Sequence, residues 1–103
     1  MIRVSVMYQN EQGKKFDWDY YLNKHCVTVR QKLTPLGLVR AEIDKGLGSA
    51  QPGVPAPFLV MAHMYFNNVG DFQKCMAIHG GDLMSDIPNF TNIQPQVQIS
   101  EIL

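Results

Sequence analysis

The chain has 103 residues, and its nine lysines and arginines balance its nine aspartates and glutamates, giving a formal net charge of zero. That length supports a single domain over 1–103, able to bury roughly two-thirds of its unfolded surface. The balanced charge, with no basic block or stripe, excludes the electrostatic footprint of a nucleic-acid binder.

The first element is a strand over residues 2–8, where Ile2, Val4, Val6 and Tyr8 alternate with Arg3, Ser5 and Met7. The same run, MIRVSVMY, lacks a basic region followed by continuous apolar residues, so it reads as neither a signal peptide nor a membrane span. NEQGKK is a polar turn around Gly13. A helix is expected from about 17 to 33. Asp17 is placed to cap its free N–H groups, and Phe16 and Tyr21 have the spacing of a hydrophobic staple. One stripe then runs through Trp18, Tyr21, Leu22, His25, Val29 and Leu33, which sets His25 on the inward face among aromatic rings. Pro35 stops the helix by disfavouring helical geometry at Thr34.

Residues 38–45 alternate as a second strand. The loop 46–57, GLGSAQPGVPAP, holds three glycines and three prolines and reads as a surface excursion that covers a cavity mouth or embraces a partner subunit. Residues 58–66, FLVMAHMYF, form a third, largely apolar strand. A second helix starts near Asn68, with Asp71 completing a capping-box variant. It turns Val69, Phe72, Cys75, Met76 and His79 inward and is expected to end at Gly80-Gly81. A short helical turn precedes Pro88, and residues 94–102 form a fourth strand. Cys26 and Cys75 fall in helices and read as free thiols, which points to the reducing cytoplasm.

This order, βαββαβ, is that of an α+β ferredoxin-like sandwich: a four-stranded antiparallel sheet with two helices on one face and the first and third strands central. The other face then shows Leu59, Met61, His63 and Tyr65 from the third strand, beside Met7, Gln96, Gln98 and Ser100. An apolar patch of this kind marks an association surface, and a second copy of the sheet is the expected cover. His63 would then make a polar contact with Arg3 or Gln98 across that interface.

The segments FDWDYYLNKH and DIPNFT, with the glycine-rich second hairpin and the AHMYF strand, resemble the EthD family, named for its association with ethyl tert-butyl ether degradation. The resemblance implies a dimeric α/β barrel, in which two ferredoxin-like subunits pair their sheets. It also implies a small-molecule cavity between the first helix and the sheet. His25 is the candidate catalytic acid or base, with Asp86 as the carboxylate that orients it. The competing reading is a core histidine bonded to a backbone carbonyl or to Asp86, with Asp86 and Asn89 capping the turn before the last strand. Tyr8, Trp18, Tyr20, Tyr21, Phe66 and Asn89 are candidate ligand-binding residues.

No metal or other cofactor is expected. Cys75 and His79 have a spacing that can share a metal, but no further ligands stand at a recognisable interval. Haem on His25 or His63 would rest on distant analogy alone. Two functions remain: a cofactor-free catalyst of proton transfer or oxygenation on a small hydrophobic or aromatic compound, or a non-catalytic homodimer that binds such a compound. A dimer with a collapsed cavity is the bland alternative.

Overall fold

The computed structural model describes residues 1–103. Strand β1 spans Ile2–Gln9, β2 spans Leu38–Lys45, β3 spans Phe58–Phe66 and β4 spans Gln96–Glu101. They form one antiparallel sheet in the order β2-β3-β1-β4, which puts β1 and β3 in the middle. Pairing in register sets Val4 beside Met64, and Val6 beside Ala62. Across β3 the same rows continue to Ala41 and Ile43. All of these side chains therefore lie on one face, because the strand period is two.

Both helices cover that face. The first, α1, occupies residues 18–33 in three parts: an α turn at Trp18–Tyr20, a π-helical turn at Tyr21–His25 and an α-helix at Cys26–Leu33. It tightens into a 3-10 turn at Thr34–Leu36 and ends on Gly37, whose φ of +118° suits a residue without Cβ. A Cβ there would also lie 3.1 Å from the side chain of Asp71.

The second helix, α2, spans Val69–Asp86, and its cap Asn68 accepts the Asp71 N–H at 2.9 Å. The sequence places its end at Gly80-Gly81, but it runs through both glycines. Leu83, one turn further on, is buried in the core, and that burial outweighs the glycine cost of about 1 kcal/mol each. The chain leaves α2 in a 3-10 turn at Ile87–Asn89, where Pro88 supplies no N–H. β4 is shorter than the expected 94–102, starting just after Pro95.

The core has two parts. Ile2, Val4, Leu33, Leu38, Phe66, Phe72, Cys75 and Leu83 form one. Tyr8, Tyr21, Cys26, Val60, Phe90 and Ile93 form the other. No helix is long and apolar enough to cross a membrane.

The helix-free face is more polar than its sequence suggests. Tyr65 is only 3 % exposed. Arg3 and Arg40 lie over its ring at 5.3 and 4.2 Å, and its hydroxyl donates to Glu42 at 2.7 Å. Within the chain His63 is bonded on both ring nitrogens. Nδ1 pairs with Ser5 Oγ at 2.9 Å and Nε2 with Asp44 at 3.2 Å. Ser5 stands directly opposite His63 on β1, and Asp44 lies two residues along β2 from Glu42, the residue opposite His63. Leu59, Met61 and Met7 remain partly exposed.

Candidate functional site

The π-helical turn shapes the site. The Cys26 N–H bonds to the carbonyl of Tyr21, five residues back instead of four. One extra residue in that turn brings Cys26 inward beside His25, while Val29 and Leu33 keep their places on the stripe. Tyr21, His25 and Cys26 are all buried, whereas Leu22, expected on the stripe, is 44 % exposed. Such turns inside helices recur at functional sites. The turn is anchored on both sides. Asp17 caps the helix, its carboxylate accepting the Tyr20 N–H at 3.1 Å, and the Asp17 N–H bonds to the Phe90 carbonyl at 2.7 Å. Phe16 packs on Tyr21 with ring centroids 5.0 Å apart, as the staple spacing predicts.

His25 leaves this turn stacked on Tyr21, at 5.8 Å and 17°, with Phe90 at 4.7 Å. Its Nδ1 lies 2.8 Å from Asp86 Oδ2. The other carboxylate oxygen of Asp86 accepts the Tyr20 hydroxyl at 2.6 Å and the Asn89 amide at 2.9 Å. Burial pushes the Asp86 carboxyl up, but the bonds from Tyr20, Asn89 and His25 outweigh it and hold the group below the usual carboxylate range. An ionised carboxylate only accepts, so Nδ1 carries the proton and Nε2 keeps its lone pair when the ring is neutral. The bond to Asp86 raises the Tyr20 phenol, as expected for a donor to an anion, with burial adding to the effect.

Nε2 has no protein partner. No sealed side-chain polar atom in the chain lacks a partner, so Nε2 retains access to open space. His25 lines a cavity of about 140 Å³ between the helices and the sheet. Its floor is Val4, Val6, Ala41, Ile43, Ala62 and Met64, and α2 contributes Met76, Leu83 and Met84. The polar side chains along it include those of Tyr8, Tyr21, His25, Cys26 and Arg30.

The residues singled out from sequence divide into three groups. Tyr8, Tyr21 and His25 line the cavity. Asp86, Tyr20 and Asn89 form the hydrogen-bonded group behind His25, with Tyr20 facing a separate polar groove shared with Lys24 and Asp82. Trp18 and Phe66 lie apart from the cavity. Trp18 packs on Phe16 at 4.8 Å under the Lys45 ammonium, and Phe66 is fully buried against Phe72 at 5.6 Å. The loop 46–57 contributes nothing to the cavity lining. It folds back on itself through Ser49 and Val54, with Leu47 94 % exposed. Cys75 is buried, its thiol 3.9 Å from the Leu36 carbonyl, and no group of three or more potential ligands is close enough to share a metal ion.

Sequence reasoning missed Cys26 and Phe90, which a regular 3.6-residue period and a loop position concealed. The DIPNFT segment held the signal for Phe90, since its Asp and Phe are four apart.

A family profile described as the EthD domain matches residues 10–94. An EthD-like protein from Ralstonia eutropha JMP134 superposes with a TM-score of 0.93 at 33 % identity, over 99 % of this chain and 91 % of that one. An ethyl tert-butyl ether (EthD) family protein from Bacillus halodurans C-125 gives 0.70 at 21 % identity, over 100 % and 99 %. A dimeric ferredoxin-like protein from an uncultured marine organism gives 0.57 at 12 % identity, over 100 % and 95 %. No curated protein matches. The chain belongs to the EthD family.

Proposed function

We propose that this EthD protein binds a small apolar, aromatic compound in the cavity between its helices and sheet, and that His25 moves a proton on it. One observation carries the reading: Nδ1 of His25 is committed to Asp86 at 2.8 Å, while Nε2 is free beside an apolar cavity. A neutral imidazole so held is a general base, and Asp86 offsets the charge of the imidazolium that forms. The cavity volume of about 140 Å³ is close to that of an engineered cavity of roughly 150 Å³ that takes up benzene. One aromatic ring is therefore the size class.

In the same reading two copies pair through the helix-free faces, with Leu59, Met61 and His63 at the contact and Tyr65 beneath it, already covered by Arg3 and Arg40. The partly exposed Leu59 and Met61 support this, as does the dimeric state named for the marine ferredoxin-like protein.

The test is a screen of monocyclic aromatic compounds for turnover, followed by His25→Ala. Helix α1 keeps Tyr21, Cys26 and Leu33 in the core, so the variant retains its fold. Loss of the proton carrier reduces the rate by about two to four orders of magnitude. An activity that survives His25→Ala unchanged overturns the catalytic role. Ring binding without turnover by any compound moves the non-catalytic binding homodimer ahead.

A further inference from the structure

The cavity holds two hydroxyls that the His25–Asp86 pair does not use. Tyr8 is 1 % exposed and Tyr21 2 %. The Tyr8 hydroxyl has no protein partner, and that of Tyr21 has only the weakly bonding Cys26 thiol beside it. A buried phenol ordinarily finds a partner. Because no sealed side-chain polar atom is left unpaired, the Tyr8 hydroxyl is not sealed, and Tyr8 is one of the residues that line the cavity. The rings of Tyr8 and Tyr21 are 6.1 Å apart, and Tyr21 stacks on His25 at 5.8 Å. Two donors and one base thus line one mostly apolar space, which Arg30 also borders. Burial, and next the neighbouring Cys26, push both phenols above their ordinary range, so they stay protonated and able to donate.

We propose that the ligand is a monocyclic phenol, its oxygen held by the hydroxyls of Tyr8 and Tyr21 and its O–H facing Nε2 of His25. This rests on the cavity reading above and adds the functional group. In the proton step the O–H bond of the ligand breaks and its electron pair stays on oxygen as phenolate. The proton forms an N–H bond at Nε2, and the imidazolium pairs with the Asp86 carboxylate. No co-reactant is required. The two tyrosine donors then face a full negative charge, where hydrogen bonds are stronger than to a neutral oxygen.

Fluorine NMR titration with fluorobenzene, 4-fluorophenol and 4-fluorobenzoate separates the possibilities. The expected result is 4-fluorophenol binding at least tenfold more tightly than fluorobenzene. Tyr8→Phe brings that ratio towards one through loss of 4-fluorophenol affinity, and continued fluorobenzene binding reports that the cavity is intact. The bound 4-fluorophenol signal moves toward the phenolate position in the wild type and not in His25→Ala. Equal affinity for the two neutral probes, or a ratio indifferent to Tyr8→Phe, overturns the phenol assignment and leaves the cavity reading standing. Tighter binding of 4-fluorobenzoate overturns it in favour of an acid held by Arg30. If neither fluorobenzene nor 4-fluorophenol binds, the cavity reading itself falls, and the phenol with it.

Discussion

Replacing Asp86 with Asn tests how the histidine is set. In the wild type Oδ1 accepts from Tyr20 and Asn89, and Oδ2 accepts from His25. An amide can keep its oxygen on the Tyr20 and Asn89 side, which leaves its NH₂ facing Nδ1. Two donors cannot share that contact. The imidazole resolves the conflict by moving its proton to Nε2, so the group that opens onto the cavity becomes a donor and ceases to be a base. A hydrogen bond to a charged group is worth about 1.5–3 kcal/mol, and the variant loses the equivalent of one. The Asp86 side chain is 25 % exposed, so water replaces part of it, and the expected destabilisation is about 1–2 kcal/mol.

The pH dependence has a definite sign. The folded-state carboxyl lies below its usual value of 3.8, so between the two values the unfolded chain binds a proton that the folded chain does not. Asp86 therefore contributes stability that is present above the unfolded value and is lost as pH falls through the folded one. Asp86→Asn removes that acid limb. Urea titration at neutral and acid pH reads the stability, and imidazole ¹⁵N shifts read the tautomer. If Nδ1 stays protonated in Asp86→Asn, the orienting role of Asp86 is wrong, whatever the stability does.

Two further outcomes follow from single contacts. Asp17→Ala removes the acceptor of the Tyr20 N–H and should cost about 1 kcal/mol by denaturant titration; a much smaller change would mean that another group caps α1. If two copies pair as proposed, Met61→Arg places an unpaired charge in the sheet-to-sheet contact and should yield monomers or aggregates in sedimentation equilibrium, whereas a persistent dimer would move the interface to another surface.

The order of elements, the caps at Asp17 and Asn68 and the central place of β1 and β3 were legible in the chain, because they rest on short-range chemistry. Alternation over a few residues sets a strand's faces, and a carboxylate or amide three residues before an N–H sets a helix start. Those signals also sufficed to bring Tyr8 and Phe66 to the helix side. The limits lie where a local period meets distant packing. The stripe that included Leu22 assumed α geometry at every turn. The π turn that exposes Leu22 and buries Cys26 is fixed by Phe16, Phe90 and the Asp17–Phe90 bond, whose partners lie far apart in sequence. The continuation of α2 through Gly80 and Gly81 likewise depends on burial of Leu83, which outweighs a local propensity for a stop. Asp86 and His25 were candidates by residue type, but they are 61 positions apart. Only the packing of the end of α2 against the π turn of α1 decides that their side chains meet, and only the void left between the two core clusters decides that Nε2 faces open space.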